Sequence, residues 1–296
     1  MPPEFVDPVP VLSGSTVTVI AGKGGVGKST VTAVLARSAA RAGRRVLVVE
    51  LDGKPVLATL VGDVPIQSIS AAAALDQYLR EHGFGRIASR LNSTGVIDVV
   101  STAAPGIDDI VVMGRIKQLE RSGEWDVILV DGPAAGHAVT FLTSPAGLQR
   151  TVRAGPVREQ ADAVVEMLSD PDRSQVVLVT LAETTPVNEL VETASRLREE
   201  VGVRLGPIVV NALDVSSEPL PDPATVDLKA LTRGDRALLV AAAEFRRARQ
   251  AMQAAEVARL CETLALPQWH LPLVPVAGLD AAAVDTLATR WTGGGS

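Results

Sequence analysis

Only one cysteine, Cys261, is present in 296 residues. That count excludes an intrachain disulfide and any multi-cysteine metal site, and it fits a reducing compartment. Aromatic residues make up 3% of the chain, too few for a stacking surface, and alanine and valine fill most apolar positions instead. No run of about 18 apolar residues occurs, so no transmembrane helix is expected. The net charge is −6 without a basic stripe, which disfavours broad electrostatic binding to nucleic acid. Arg246, Arg247 and Arg249 do cluster, but Glu244 and Glu256 flank them, as on a solvated helix face. The opening MPPEFVDPVPVLSGS lacks the basic start and apolar run of a signal peptide.

Apolar residues are plentiful at 47%, enough for a substantial core. β-branched runs at 16–22, 45–51, 95–101, 125–137, 175–183, 206–213 and 268–274 read as buried strands. Between them, 28–42, 107–123, 186–202, 233–264 and 279–291 have helical spacing. Residues 54–95 read as mainly helical, 139–169 as one or two helices, and 214–232 as a long loop. The alternation predicts an α/β fold, a doubly wound, mostly parallel sheet flanked by helices. Residues 1–14 are expected as a flexible arm, 15–292 as a single domain with helical insertions near 54–95 and 139–172, and 293–296 as a tail.

The stretch AGKGGVGKST at 21–30 joins the first strand to the first helix. Gly22, Gly24, Gly25 and Gly27 let the backbone curl around Val26 so that successive N–H groups form an anion nest. The helix that opens at Lys28, Ser29 and Thr30 adds its positive N-terminal end. Lys28 is placed to reach β- and γ-phosphates, and the Ser29 hydroxyl to ligate Mg²⁺. Asp131 ends the strand VILV, where a carboxylate holds magnesium, although an aspartate there can also cap the next turn. Asp52 ends the second strand and can orient an attacking water, while Glu50, inside that strand, reads as facing a packing layer. Ligands in such sheets bind beyond the carboxyl ends of the strands, where this loop falls.

Lys23, directly after Gly22, gives the pattern G-K-G-G-x-G-K-[ST]. In this the chain resembles the deviant Walker A ATPases, which include MinD, ParA and the arsenite-pump ATPases. DGPAAGHA at 131–138 resembles switch II of the arsenite-pump and tail-anchored-protein-targeting branch at Asp131, Gly136 and His137. LDGKP at 51–55 falls where that branch has its switch I aspartate, with Lys54 in place of its histidine. The overall look is closest to small actinobacterial members of the family.

The resemblance implies a P-loop ATPase with a reduced helical subdomain, using ATP and Mg²⁺. It implies that Lys23 reaches the phosphates of a partner subunit, the alternative being a solvated surface lysine. It carries adenine recognition to Asn211 and Pro272, and a switch role to His137, which needs no chemistry of its own. The expected partners are a second copy or a longer paralogue, together with a protein or helical client, in the cytoplasm or at the periphery of a membrane. A guanine-specific N/T-K-x-D motif is lacking, which favours ATP. The lone cysteine rules out the branch's C-x-x-C zinc pair and its multi-cysteine metalloid site. Two other functions stay open: a positioning ATPase of the MinD and ParA kind, and a nucleotide-binding regulatory subunit of an active paralogue.

Overall fold

The computed structural model describes residues 4–5, 7–51, 55–81, 83, 106–215, 232–276 and 278–294. The valine, isoleucine and leucine runs become the central strands, buried on both faces, and shorter strands join them at the edges. These are β1 (Glu4–Phe5), β2 (Val17–Gly22), β3 (Val46–Glu50), β4 (Ile66–Ser68), β5 (Val127–Ala134), β6 (Ser174–Leu181), β7 (Arg204–Leu213), β8 (Gln268–Pro272) and β9 (Thr292–Gly294). They join one sheet in the order β1-β9-β8-β7-β6-β2-β5-β3-β4. The seven strands from β8 to β4 run parallel, and β9 and β1 extend the β8 edge antiparallel.

The helices are α1 (Val9–Leu12), α2 (Lys28–Arg41), α3 (Pro55–Val61), α4 (Ala71–Glu81), α5 (Ile107–Arg121) and α6 (Ala135–Thr151). They continue as α7 (Pro156–Ser169), α8 (Thr184–Arg196) with a π-turn at Leu197–Val201, α9 (Arg233–Thr263) and α10 (Ala281–Leu287). Strand alternation divides them between two cores. On one face Val17, Val19 and Val130 pack with Met113, Leu142, Met167 and Leu190. On the other, Ile20, Val48 and Leu129 pack with Leu35, Leu57 and Leu287. Helices on both faces make the sheet doubly wound, as the alternating pattern predicts. β5 and β6 flank β2 on opposite sides, so the strand order turns beside β2 and opens a crevice past its carboxyl end.

Two details depart from the sequence reading. Residues 66–68, inside a stretch read as mainly helical, pair with β3 as the edge strand β4. The termini, expected as arm and tail, carry β1 and β9, and Leu12 is fully buried. The strand expected at 95–101 lies outside the described residues. Among the described residues no helix is long and apolar enough to cross a membrane.

Candidate nucleotide site

β2 ends at Gly22 and α2 begins at Lys28, so the chain turns back within five residues. Gly25 and Gly27 take φ of +86° and +89°, a left-handed region that costs any Cβ-bearing residue. Space is as decisive as torsion. A Cβ at Gly22 would lie 2.3 Å from the Val179 carbonyl of β6, and one at Gly27 2.2 Å from Asn211 Nδ2. At Gly24 and Gly25 a Cβ would meet nothing within 4 Å, so this side of the loop is open. Below it, the Val26 side chain is anchored in the core.

Lys28 is 7% exposed, and its Nζ donates to the carbonyls of Gly22 (3.0 Å) and Lys23 (3.2 Å). The ammonium thus lies under the arch of its own loop. One residue on, Ser29 Oγ donates to Asp131 Oδ2 at 2.8 Å. Thr32 Oγ1 donates to Asp131 Oδ1 at 3.2 Å, so both oxygens of the buried carboxylate are held from α2. Thr32 was not among the residues read from the sequence. Its signal is spacing: three residues after Ser29, it presents the same helix face to β5. Thr30 is half-buried at the start of the helix.

Glu50 also gains weight. It is the register partner of Asp131 across β3 and β5, and it follows Val48 at strand period on the α2 side. The residue is buried, and among the described residues its Oε1 has no hydrogen-bond partner. A carboxylate taken out of water without a donor is costly, so this oxygen is a natural place for a cation or a water.

At the rim, Lys23 Nζ meets Glu189 Oε1 of α8 at 2.5 Å, with the two side chains 36% and 40% exposed. The lysine therefore lies at the surface, held within its own chain. Asn211, near the end of β7, donates from Nδ2 to the Val26 carbonyl at 2.9 Å and so ties β7 to the loop. Pro272 ends β8 in register with Leu213, placing it at the same edge of the sheet. Asp52 and Lys54 lie outside the described residues.

Gly136 and His137 open α6 directly after β5. His137 lines a cavity of about 390 Å³ with Leu51, Asp108, Asp109, Thr140 and Phe141. Burial pushes the Asp109 carboxyl up, against the opposing pull of its hydrogen bond from Ser144. The histidine thus shares this cavity with the acidic start of α5.

Fold and loop together define a protein of the P-loop NTPase fold. The model of the family described as anion-transporting ATPase matches residues 15–155. Along its length the chain is 29% identical over 318 residues to ATPase BagA of Mycobacterium tuberculosis, covering 94% of this chain and 92% of that protein. It is 25% identical over 233 residues to an arsenical pump-driving ATPase of Escherichia coli, covering 68% of this chain and 40% of that one. It is 26% identical over 206 residues to ATPase ARSA1 of Chlamydomonas reinhardtii, covering 53% and 26%. The chain thus spans under half the length of the last two.

Proposed function

We propose that the chain is a magnesium-dependent ATPase that works as a dimeric switch, coupling its nucleotide state to a client or partner protein. The observation that carries this reading is the Ser29–Asp131 pair at the head of α2, beside the buried Lys28. A serine hydroxyl next to a carboxylate is the hard-oxygen set that magnesium takes while keeping waters and phosphate oxygens as its other ligands. The open glycine face supplies N–H donors of the kind that phosphates occupy. Both groups therefore suit the residues present. Ser29 would ligate magnesium, with Asp131 holding it directly or through water, and bound Mg²⁺ would offset charge on the β- and γ-phosphates.

Within this reading each side chain has one task. Lys28 exchanges its carbonyl partners for phosphate oxygens. Asp52 orients the attacking water, and Asn211 and Pro272 flank the adenine. Gly136 and His137 move with the segment after Asp131, and so report the γ-phosphate to α5. Lys23 leaves Glu189 and brings its charge to the facing subunit's phosphates, where charge builds up in the transition state. A cytoplasmic protein, peripheral at most to a membrane, fits this reading.

Complementation tests the shared lysine. Lys23→Ala and Lys28→Ala are each expected to be inactive alone. Mixed in equal amounts they should recover about a quarter of the wild-type rate, because half the dimers are mixed and each has one complete site. A mixture as inactive as its parts sinks the shared site. If wild type binds ATP without hydrolysing it, the regulatory-subunit reading replaces this one.

A further inference from the structure

α9 packs against the body along its second half. Gln253, Glu256 and Leu260 are buried, and Arg246 closes a paired ion contact with Asp214 at 2.6 and 2.7 Å. The turns before Arg246 are mostly exposed on every side. Along the whole of this region runs a row of apolar residues. Leu238 is 72% exposed, Phe245 71% and Met252 38%, at seven-residue intervals. Ala241, Ala248 and Ala255, also exposed, alternate with them three residues on. Scattered exposed apolar residues need no explanation, but a three-four spacing held over 18 residues is the seam of a paired helix. At 1.5 Å per residue it runs for about 27 Å.

We propose that α9 is a self-association helix, along which two copies of this chain pair antiparallel through Leu238, Ala241, Phe245, Ala248, Met252 and Ala255. The order of sizes selects both partner and direction. A twofold axis between Arg246 and Arg247 sets Leu238 against Ala255, Phe245 against Ala248, and Met252 against Ala241. Every large side chain then faces a small one, on both copies at once, as an isologous contact requires. A parallel pair in register stacks large on large and alanine on alanine, alternating clash with void.

The flanking positions agree with this register. Ala242 comes beside Arg249 of the other copy, and Glu244 beside Ala251, so between Leu238 and Ala255 no like charges oppose and the helices can approach closely. The same register sets Asp235 against Glu256 just beyond that stretch. The seam covers on the order of 1,000 Å² over both copies, at the lower end of specific interfaces. It is therefore a contact suited to modest affinity, strengthened by any second contact between the subunits. α9 packs on α8, the helix that carries Glu189 and with it Lys23. The inference deepens the dimeric reading above and rests on it, but it needs no nucleotide.

The test uses the full chain with Cys261→Ser, so that no native thiol competes. L238C and A255C proteins, mixed without nucleotide under mild oxidation, are expected to cross-link, whereas neither does so alone. Self-cross-linking of L238C, or a chain that stays monomeric and uncross-linked, overturns the proposal. Sedimentation adds a reading of sign. Ala248→Leu fills the hole opposite Phe245 and should weaken dimerisation at least about tenfold. A merely sticky surface would bind more tightly instead. The double variant F245A/A248F restores large against small and should return to within about threefold of wild type. Cross-linking with failed lysine complementation keeps the seam and removes the shared site. Complementation without cross-linking does the reverse.

Discussion

Lys28 and Lys23 belong to one loop, yet one is built into the chain and the other rests against it. Lys28 is buried and donates to two backbone carbonyls, so its position follows from the course of the loop itself. Lys23 sits at the rim, and its ion pair with Glu189 joins two side chains that are each more than a third exposed. Pairs of that kind contribute about 0–1 kcal/mol, because solvent screens the attraction and ordering two long side chains costs entropy. A cation held this weakly can change partners at little cost. The difference in anchoring is what a loop needs if one lysine serves its own nucleotide and the other is kept for a contact made later.

The largest expected effect breaks the anchored member. Lys28→Ala should lower kcat/KM for ATP by about 10²–10³-fold and weaken nucleotide binding as well, whatever the protein concentration. Lys23→Ala should cost hydrolysis a similar factor while leaving nucleotide affinity within about threefold, so that the loss is in kcat. Equal losses of affinity in both variants would erase the distinction between the two lysines. Glu189→Gln probes the resting contact. It should change stability by less than about 1 kcal/mol by denaturant unfolding, and hydrolysis by no more than about threefold. A large fall in either would mean that Glu189 does more than hold a surface lysine.

The same contrast explains what could be read from the sequence. The loop, Lys28, Ser29 and Asp131 were legible because each sits at a fixed distance from the end of an apolar strand, and a parallel sheet brings those ends together. Local order alone placed them. Glu189 was not legible as a partner of Lys23: it is one glutamate on an amphipathic helix, and only the packing of α8 beside the loop joins residues 166 apart. Glu50 was passed over because a carboxylate inside a valine run resembles a packing position until the register sets it beside Asp131. β4 was hidden because Ile66–Ser68 has three residues, too short for a period to register. β9 is Thr-Gly-Gly, with no apolar side chain to mark it as a strand, and it pairs with β8. The length of α9 was readable from its spacing, but which half would lie against the body depends on what lies beneath it.

The smallest effect concerns a third basic side chain, one kept from its charge. His270 on β8 lies beside β9, and its Nε2 and Gln268 Oε1 are 3.2 Å apart. Burial holds its pKa below the ordinary histidine value, since a cation there would lose hydration and gain only a neutral amide. The unfolded chain therefore binds this proton more readily than the folded one. Stability from His270 is complete above the unfolded value, near 6.5, and falls as pH drops from there through the lower folded value. Denaturant unfolding of wild type and His270→Gln across that window should give a shallower acid-side slope for the variant. Identical slopes would mean that burial of this ring has no bearing on acid sensitivity. Lys28 marks the contrast: it is buried and two carbonyls accept from its ammonium, whereas half-buried His270 has no comparable pair of acceptors among the described residues.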